Sequence, residues 1–305
     1  MTATVNNTSI VTNHQRIGEI DSIFQCIPNE ILSAIFYFLK FQDILNISHV
    51  CFRWKVIALD STSIKITKKY KNPELLLSIF PRLRRFCFSI TVEDSSTLAK
   101  ITNSLRDKCQ TLTSLNLARC QHLTDVASKH LAYLSSLSSL DLGYCYRITD
   151  SAAPHLATLS SLSSLNLSGC SLTDAAAPHL ATISSLTSLK LSRCFDISDS
   201  GVINLTSLSS LSFLDLGSCE ITDYAIRYLE KLSSLVSLNL SYSLITDAAA
   251  QHLATFPSLT SLDLSECENI TYIARTHLEN LPSITYLNLY NGKISDEDIR
   301  DLFNL

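Results

Sequence analysis

A chain of 305 residues, 46% of them apolar, has room for two modules, one of them large. Its formal charge of -4 argues against nucleic acid as the main ligand. Ten cysteines without a single C-x-x-C pair exclude a zinc ribbon, and no apolar run is long enough to span a membrane.

Residues 1–23 are polar and irregular, with Asn6, Asn7, Thr8, Ser9, Thr12 and Asn13 among them. They read as a disordered N-terminal arm. The first thirty residues hold no signal-like apolar stretch, so an intracellular, cytoplasmic or nuclear protein is expected.

Residues 24–62 change character. Pro28 and Glu30 suit the first turn of a helix, and Ile31, Leu32, Ile35, Phe36 and Leu39 follow at helical spacing. A second helical stretch carries Ile44, Leu45, Ile47 and Val50, with Asp43 near its start. A third carries Phe52, Trp54, Val56, Ile57 and Leu59. Three short helices have too small a core to bury all of this apolar surface. The surplus points to a partner.

The same residues resemble an F-box. The family pattern is a Leu-Pro pair, an acidic residue, an apolar helix ending in leucine, an acidic-leucine step, Val-Cys and a tryptophan. Here those positions read Ile27-Pro28, Glu30, Ile31-Leu32, Ile35-Phe36, Leu39, Asp43-Ile44, Val50-Cys51 and Trp54. Ile27 replaces the leucine. The resemblance implies docking on the Skp-family adaptor of a cullin–RING ubiquitin ligase through Ile27, Pro28, Ile31, Leu32, Ile35, Phe36, Val50 and Cys51.

Residues 63–111 read as a joining region of degenerate repeats that cap the array to come. Its early part is polar and basic, with Lys65, Lys68, Lys69 and Lys71 read as a solvated rim. A short helix is expected from Pro73 to Phe80. Leu83, Phe86 and Phe88 imitate a strand, with Cys87 out of phase for the cysteine positions downstream.

From Leu112 one phrase repeats eight times. Its first apolar residues are Leu112, Leu137, Leu162, Leu186, Leu211, Leu235, Leu259 and Ile284, spaced 24 or 25 residues apart. A fixed period of this size marks a solenoid, and it falls in the leucine-rich-repeat range. Within one unit, Leu140 and Leu142 alternate with Asp141, a short strand with one buried face. Thr149-Asp150 then looks like a helix start, with Thr149 as cap and Asp150 in the positive first turn. Ala152, Ala153, His155, Leu156 and Leu159 supply a helix of roughly three turns. Cys120, Cys145, Cys170, Cys194, Cys219 and Cys267 share one repeat position, where Ser243 and Gly292 stand in the other two units. Such a position suits a small buried group, and abundant free thiols suit a reducing compartment. The odd residue of the longer units falls in the loop after the cysteine, as in Cys120 to Leu123 against Cys170 to Leu172. The units resemble the cysteine-containing leucine-rich repeats that often follow an F-box.

The array offers no chemistry. His130, His155, His179, His252 and His277 recur on the helix side, and no carboxylate recurs beside them in the sequence. The repeated Thr-Asp steps are explained as helix starts. No phosphate loop, nucleophile constellation or metal set occurs, so no catalytic residue, cofactor or metal is expected. The outward strand positions and the loops after them vary instead, and they carry Arg119, Tyr144, Arg147, Lys190, Arg193, Phe195, Phe213 and Tyr242, with Tyr146 and Asp196 beside them. Tyr and Arg are the usual anchors of protein recognition.

The expected fold is thus α/β: a curved, right-handed leucine-rich-repeat solenoid over residues 112–305, preceded by a small all-helical F-box module. The expected function is target recognition for a Skp–cullin–F-box ubiquitin ligase, with an unidentified protein held on the repeats. The alternative is a non-catalytic binding scaffold uncoupled from ubiquitination, including a microbial protein acting in a host cytosol.

Overall fold

A computed structural model of the chain describes residues 63–66, 85–88, 112–278, 281 and 283–290. The N-terminal arm, the three helices expected over 24–62 and the short helix expected after Pro73 lie outside the described residues.

The described chain is built on one parallel sheet of ten strands in sequence order. The strands are β1 (Ser63–Ile66), β2 (Arg85–Phe88), β3 (Ser114–Asn116), β4 (Ser139–Asp141), β5 (Ser164–Asn166), β6 (Ser188–Lys190), β7 (Phe213–Asp215), β8 (Ser237–Asn239), β9 (Ser261–Asp263) and β10 (Tyr286–Asn288). From β3 to β9 each strand is three residues with only the middle leucine fully buried. The register keeps every repeat leucine opposite the next, as in Leu140 against Leu165 and Leu165 against Leu189. That register leaves each leucine row continuous, so neighbouring units bury each other's apolar side.

The sheet begins earlier than the clear repeats. Phe86 of β2 pairs with Leu115, and Cys87 pairs with the outward Asn116, which confirms its different phase. Strand β1 falls inside the basic stretch, where the lysines suggest a polar rim and not a strand. Its Lys65 pairs with Cys87, an outward register position, while Ile64 pairs with Phe86 in the leucine row.

The return segments are shorter than expected. Four of the described helices are seven residues, about two turns and not three. These are α1 (Asp125–Leu131), α4 (Asp199–Leu205), α5 (Asp223–Leu229) and α6 (Asp247–Leu253). In three units the same seven positions split into a 3-10 turn followed by four α residues: α2 (Ala153–Leu156), α3 (Ala177–Leu180) and α7 (Arg275–Leu278). Pro154 and Pro178 occupy the first turn of α2 and α3, where no N–H is required. Proline is not the whole reason, since α7 has the split without one.

The cysteine position is a hydrogen-bonded ladder. The thiols of Cys145, Cys170, Cys194 and Cys219 each donate 3.3 Å to the carbonyl of the last strand leucine in the unit before, namely Leu117, Leu142, Leu167 and Leu191. Cys267 makes the same bond to Leu240 at 3.1 Å. The first four of those carbonyls also accept their own unit's cysteine N–H, as Leu117 does from Cys120 at 3.2 Å. Both lone pairs of a buried carbonyl are thereby used. Burial, and then the neighbouring thiols, push Cys145 up to about 12, and Cys170 and Cys219 are pushed higher still. Burial, with a smaller push from the Asp215 carboxylate, raises Cys194 to about 12 against backbone hydrogen bonds that lower it.

Two expectations follow. The repeat thiols should resist iodoacetamide at pH 8 in the native protein and react in urea, as read by mass mapping of the modified peptides, because only the thiolate attacks. The folded-state values lie above the unfolded one. Their stabilising contribution is therefore complete below about pH 9 and is lost as pH rises toward about 12. Rapid native alkylation of Cys145 or Cys194 at pH 8 would contradict the burial.

Ser243 breaks the ladder. Its hydroxyl is buried and has no hydrogen-bond partner among the described residues. Ser243→Cys should restore the bond and raise stability by about 1 kcal/mol in urea unfolding. An unchanged or lower midpoint would mean that the unit cannot accept a thiol.

A second ladder runs along the helix starts. Thr149 caps its own helix, as expected. Asp150, however, faces the next unit, accepting from the N–H and the hydroxyl of Thr173 at 2.8 Å each. The same pair of hydrogen bonds joins Asp125 to Thr149, Asp174 to Ser198, Asp199 to Thr222, Asp223 to Thr246 and Asp247 to Thr271. The Thr-Asp step is more than a helix start; it bolts each unit to its neighbour through charge-assisted hydrogen bonds. At Gly201 an added Cβ would collide with the Asp174 carboxylate, whose oxygen accepts the Gly201 N–H at 3.0 Å.

Candidate functional site: the loop edge of the sheet

The outward strand row is more structural than its variability suggested. Asn116, Asp141, Asn166, Asp215, Asn239 and Asp263 each accept an N–H two residues on, pinning the turn that follows the strand. Asp141 also accepts from Asn116 at 3.1 Å and Asn166 at 2.9 Å. Lys190 is the exception. It has no acceptor for that role, and its ammonium lies 5.2 Å from the Phe213 ring. These two expected target-binding residues form a pair of their own on the sheet face.

One residue before each repeat cysteine, and before Ser243 in its place, the backbone turns left-handed. Arg119, Tyr144, Arg193, Ser218, Tyr242 and Glu266 have φ between 57° and 64°, and Gly169 has 65°. Side chains other than glycine and asparagine rarely adopt this region. Here the conformation is held by the next unit: the N–H of Arg119 donates to Gly143 at 2.7 Å, that of Tyr144 to Ser168 at 2.6 Å, and that of Arg193 to Gly217 at 2.7 Å. The left-handed residues therefore extend the sheet's hydrogen bonding past the strands. They also fix large side chains in a row along one edge.

Gly169 leaves a gap in that row, and Tyr144 uses it. A Cβ at Gly169 would come within 2.9 Å of the Tyr144 ring. The Arg119 guanidinium lies 5.4 Å from the centre of the same ring, and Tyr146 meets it edge-on at 6.4 Å. Two hollows result. One of about 240 Å³ lies among Tyr144, Tyr146, Gly169, Arg193, Phe195 and Asp196. The other, of about 410 Å³, is lined by Arg119, Gln121, Tyr144, Tyr146 and Arg193. They share Tyr144, Tyr146 and Arg193.

Of the expected target-binding residues, Arg119, Tyr144, Arg193 and Phe195 come together here. Arg147 is exposed on the same loop but lines neither hollow. Tyr242, 59% exposed, stands farther along the edge. Gln121, Gly169 and Ser171 were not expected; a glycine inside a row of large residues was the available sign. The adaptor-binding set Ile27, Pro28, Ile31, Leu32, Ile35, Phe36, Val50 and Cys51 lies outside the described residues.

The helix side departs from its expected monotony. His252 does have a carboxylate, with Nδ1 2.6 Å from Glu230 Oε1. On α5 the Tyr224 and Tyr228 hydroxyls meet at 2.9 Å, and Lys231 lies 5.3 Å from the Tyr228 ring. Among the described residues no cluster could hold a metal ion, and no helix is long and apolar enough to cross a membrane.

Short parallel strands, inward leucines and stacked returns define a leucine-rich-repeat solenoid. Leucine-rich-repeat family models match residues 209–268 and 233–294, and a second such family matches 108–127, 158–177 and 182–205. An F-box-like model matches residues 24–64. The chain thus carries an F-box-like segment followed by leucine-rich repeats, an arrangement typical of non-catalytic adaptors and scaffolds. A search of curated proteins finds no match to the sequence. Among solved structures, the yeast Rad7 and Elc1 complex contains a chain 21% identical, with 99% of this chain and 91% of that one covered at a TM-score of 0.55. An internalin C2 from Listeria monocytogenes is 23% identical over 73% of this chain and 84% of its own, at a TM-score of 0.50. At these identities the likeness shows the fold alone.

Proposed function

We propose that the protein is the target-recognition subunit of a Skp–cullin–F-box type ubiquitin ligase. The F-box-like match at residues 24–64 carries this reading. The Ile27-Pro28 pair, the Ile31, Leu32, Ile35 and Phe36 stripe and the Val50-Cys51 step would seat the Skp-family adaptor, and through it the cullin–RING ligase. The repeats would hold a protein target at the loop edge. Such a subunit works by position: it raises the effective concentration of target lysines near the charged ubiquitin carrier and supplies no catalytic group. The solved likeness to a chain from the Rad7 and Elc1 complex, a two-protein assembly by its description, is compatible with an adaptor role.

Ile35→Asp tests the adaptor surface. A charge forced into a desolvated apolar contact without a partner should abolish binding to a purified Skp-family adaptor in calorimetry. The far-ultraviolet circular dichroism and melting of the repeats should not move. Normal binding by a folded variant would remove the proposed interface.

A further inference from the structure

The paired hollows at the loop edge have a chemistry that narrows what they take. The hollow of about 240 Å³ is below the roughly 300–1,000 Å³ of small-molecule sites, so it fits one side chain better than a free ligand. Arg119 and Arg193 line the neighbouring hollow together. The Arg193 guanidinium has no hydrogen-bond or ion-pair partner among the described residues, and Arg119 contacts only the Tyr144 ring there. Asp196 is the one acidic side chain lining either hollow. The balance is positive on a chain whose formal charge is -4. Tyr146 and Phe195, 56% and 65% exposed, flank the arginines as apolar platforms. The left-handed backbone holds Arg119, Tyr144 and Arg193 in place before anything binds, which lowers the ordering cost of binding.

We propose that the loop edge binds an extended peptide segment of the target through an anionic side chain, a carboxylate or a phosphate, held between Arg119 and Arg193, with a neighbouring apolar side chain laid against Tyr146 and Phe195. The proposal rests on the reading of the repeats as the target-binding part. Guanidinium pairs recognise both oxyanions by charge-assisted, bidentate hydrogen bonds.

The test is selection of a phage-displayed random peptide library on the intact protein. Enriched peptides should carry Asp or Glu beside an aromatic or aliphatic residue. By fluorescence anisotropy, the best of them should bind at least tenfold more weakly to Arg193→Gln and to Arg119→Gln, with melting unchanged. Arg193→Lys should recover part of the loss. Exchange of the peptide's acidic residue for glutamine should match the variant loss, and its exchange for phosphoserine separates the two sources, since the natural one binds more tightly. Enrichment of neutral peptides only, no enrichment, or equal binding to wild type and Arg193→Gln would overturn the proposal. Adaptor binding on the same preparation keeps the two readings apart. Adaptor binding without an acidic peptide removes this chemistry alone, and acidic-peptide binding without adaptor binding removes the ligase reading alone.

Discussion

Cys170→Asp should collapse the middle of the solenoid. Cys170 is 4% exposed, donates to the Leu142 carbonyl, and sits between the thiols of Cys145 and Cys194 in the ladder. A carboxylate there would be a buried charge in place of a neutral thiol, beside the thiols of Cys145 and Cys194. An uncompensated buried charge costs roughly 3–5 kcal/mol. Each unit is stabilised mainly by its neighbours, so the defect should uncouple the units on either side of it. Urea unfolding should show a much lower midpoint and a split transition. Cys170→Ala loses only a small group and one weak hydrogen bond, a cost of about 1 kcal/mol. Equal midpoints for wild type and Cys170→Asp would refute the buried ladder.

Tyr144→Ala combined with Arg193→Ala should remove most target affinity, about 2 kcal/mol or more. Both side chains line both hollows, and Tyr144 also supports Arg119 through its ring. The paired control is His155→Ala with His179→Ala on the helix side, which should leave target binding unchanged. Stability should move little in either case, since Arg193 and His179 are exposed and Tyr144 and His155 are half-buried. Binding measured against the selected peptide and against any captured target decides between the faces. Loss in the histidine pair with retention in the tyrosine–arginine pair would place recognition on the helix side and contradict the loop-edge site.

The period made the strands legible. A leucine at every 24 or 25 residues, alternating with a polar neighbour, has one solution in which all leucines are inside. The cysteine position was legible as small and buried for the same reason. What stayed hidden depended on neighbouring units. Thr-Asp reads as a cap whether the aspartate serves its own helix or the next unit's threonine, because both arrangements use the same two letters. The outward Asn and Asp looked variable, yet either side chain can accept the same turn N–H. The left-handed row was invisible because Arg, Tyr, Ser and Glu occupy it, held there by bonds to the following unit. Strand β1 was masked by the lysines around Ile64 and Ile66.

The candidate groove was half legible. Its tyrosines and arginines stood out as large residues at variable positions. Their convergence depended on Gly169 opening the row and on the loop residues Tyr146 and Phe195 reaching beside it.

The central claim is that one chain joins a ligase adaptor to a target. Light scattering behind size-exclusion chromatography tests it directly, with the intact chain, a purified Skp-family adaptor and a carrier protein bearing the selected acidic peptide. A single complex with the mass of all three is the expected result. Two complexes that exclude each other, or a chain that holds the peptide carrier and never the adaptor, would contradict it.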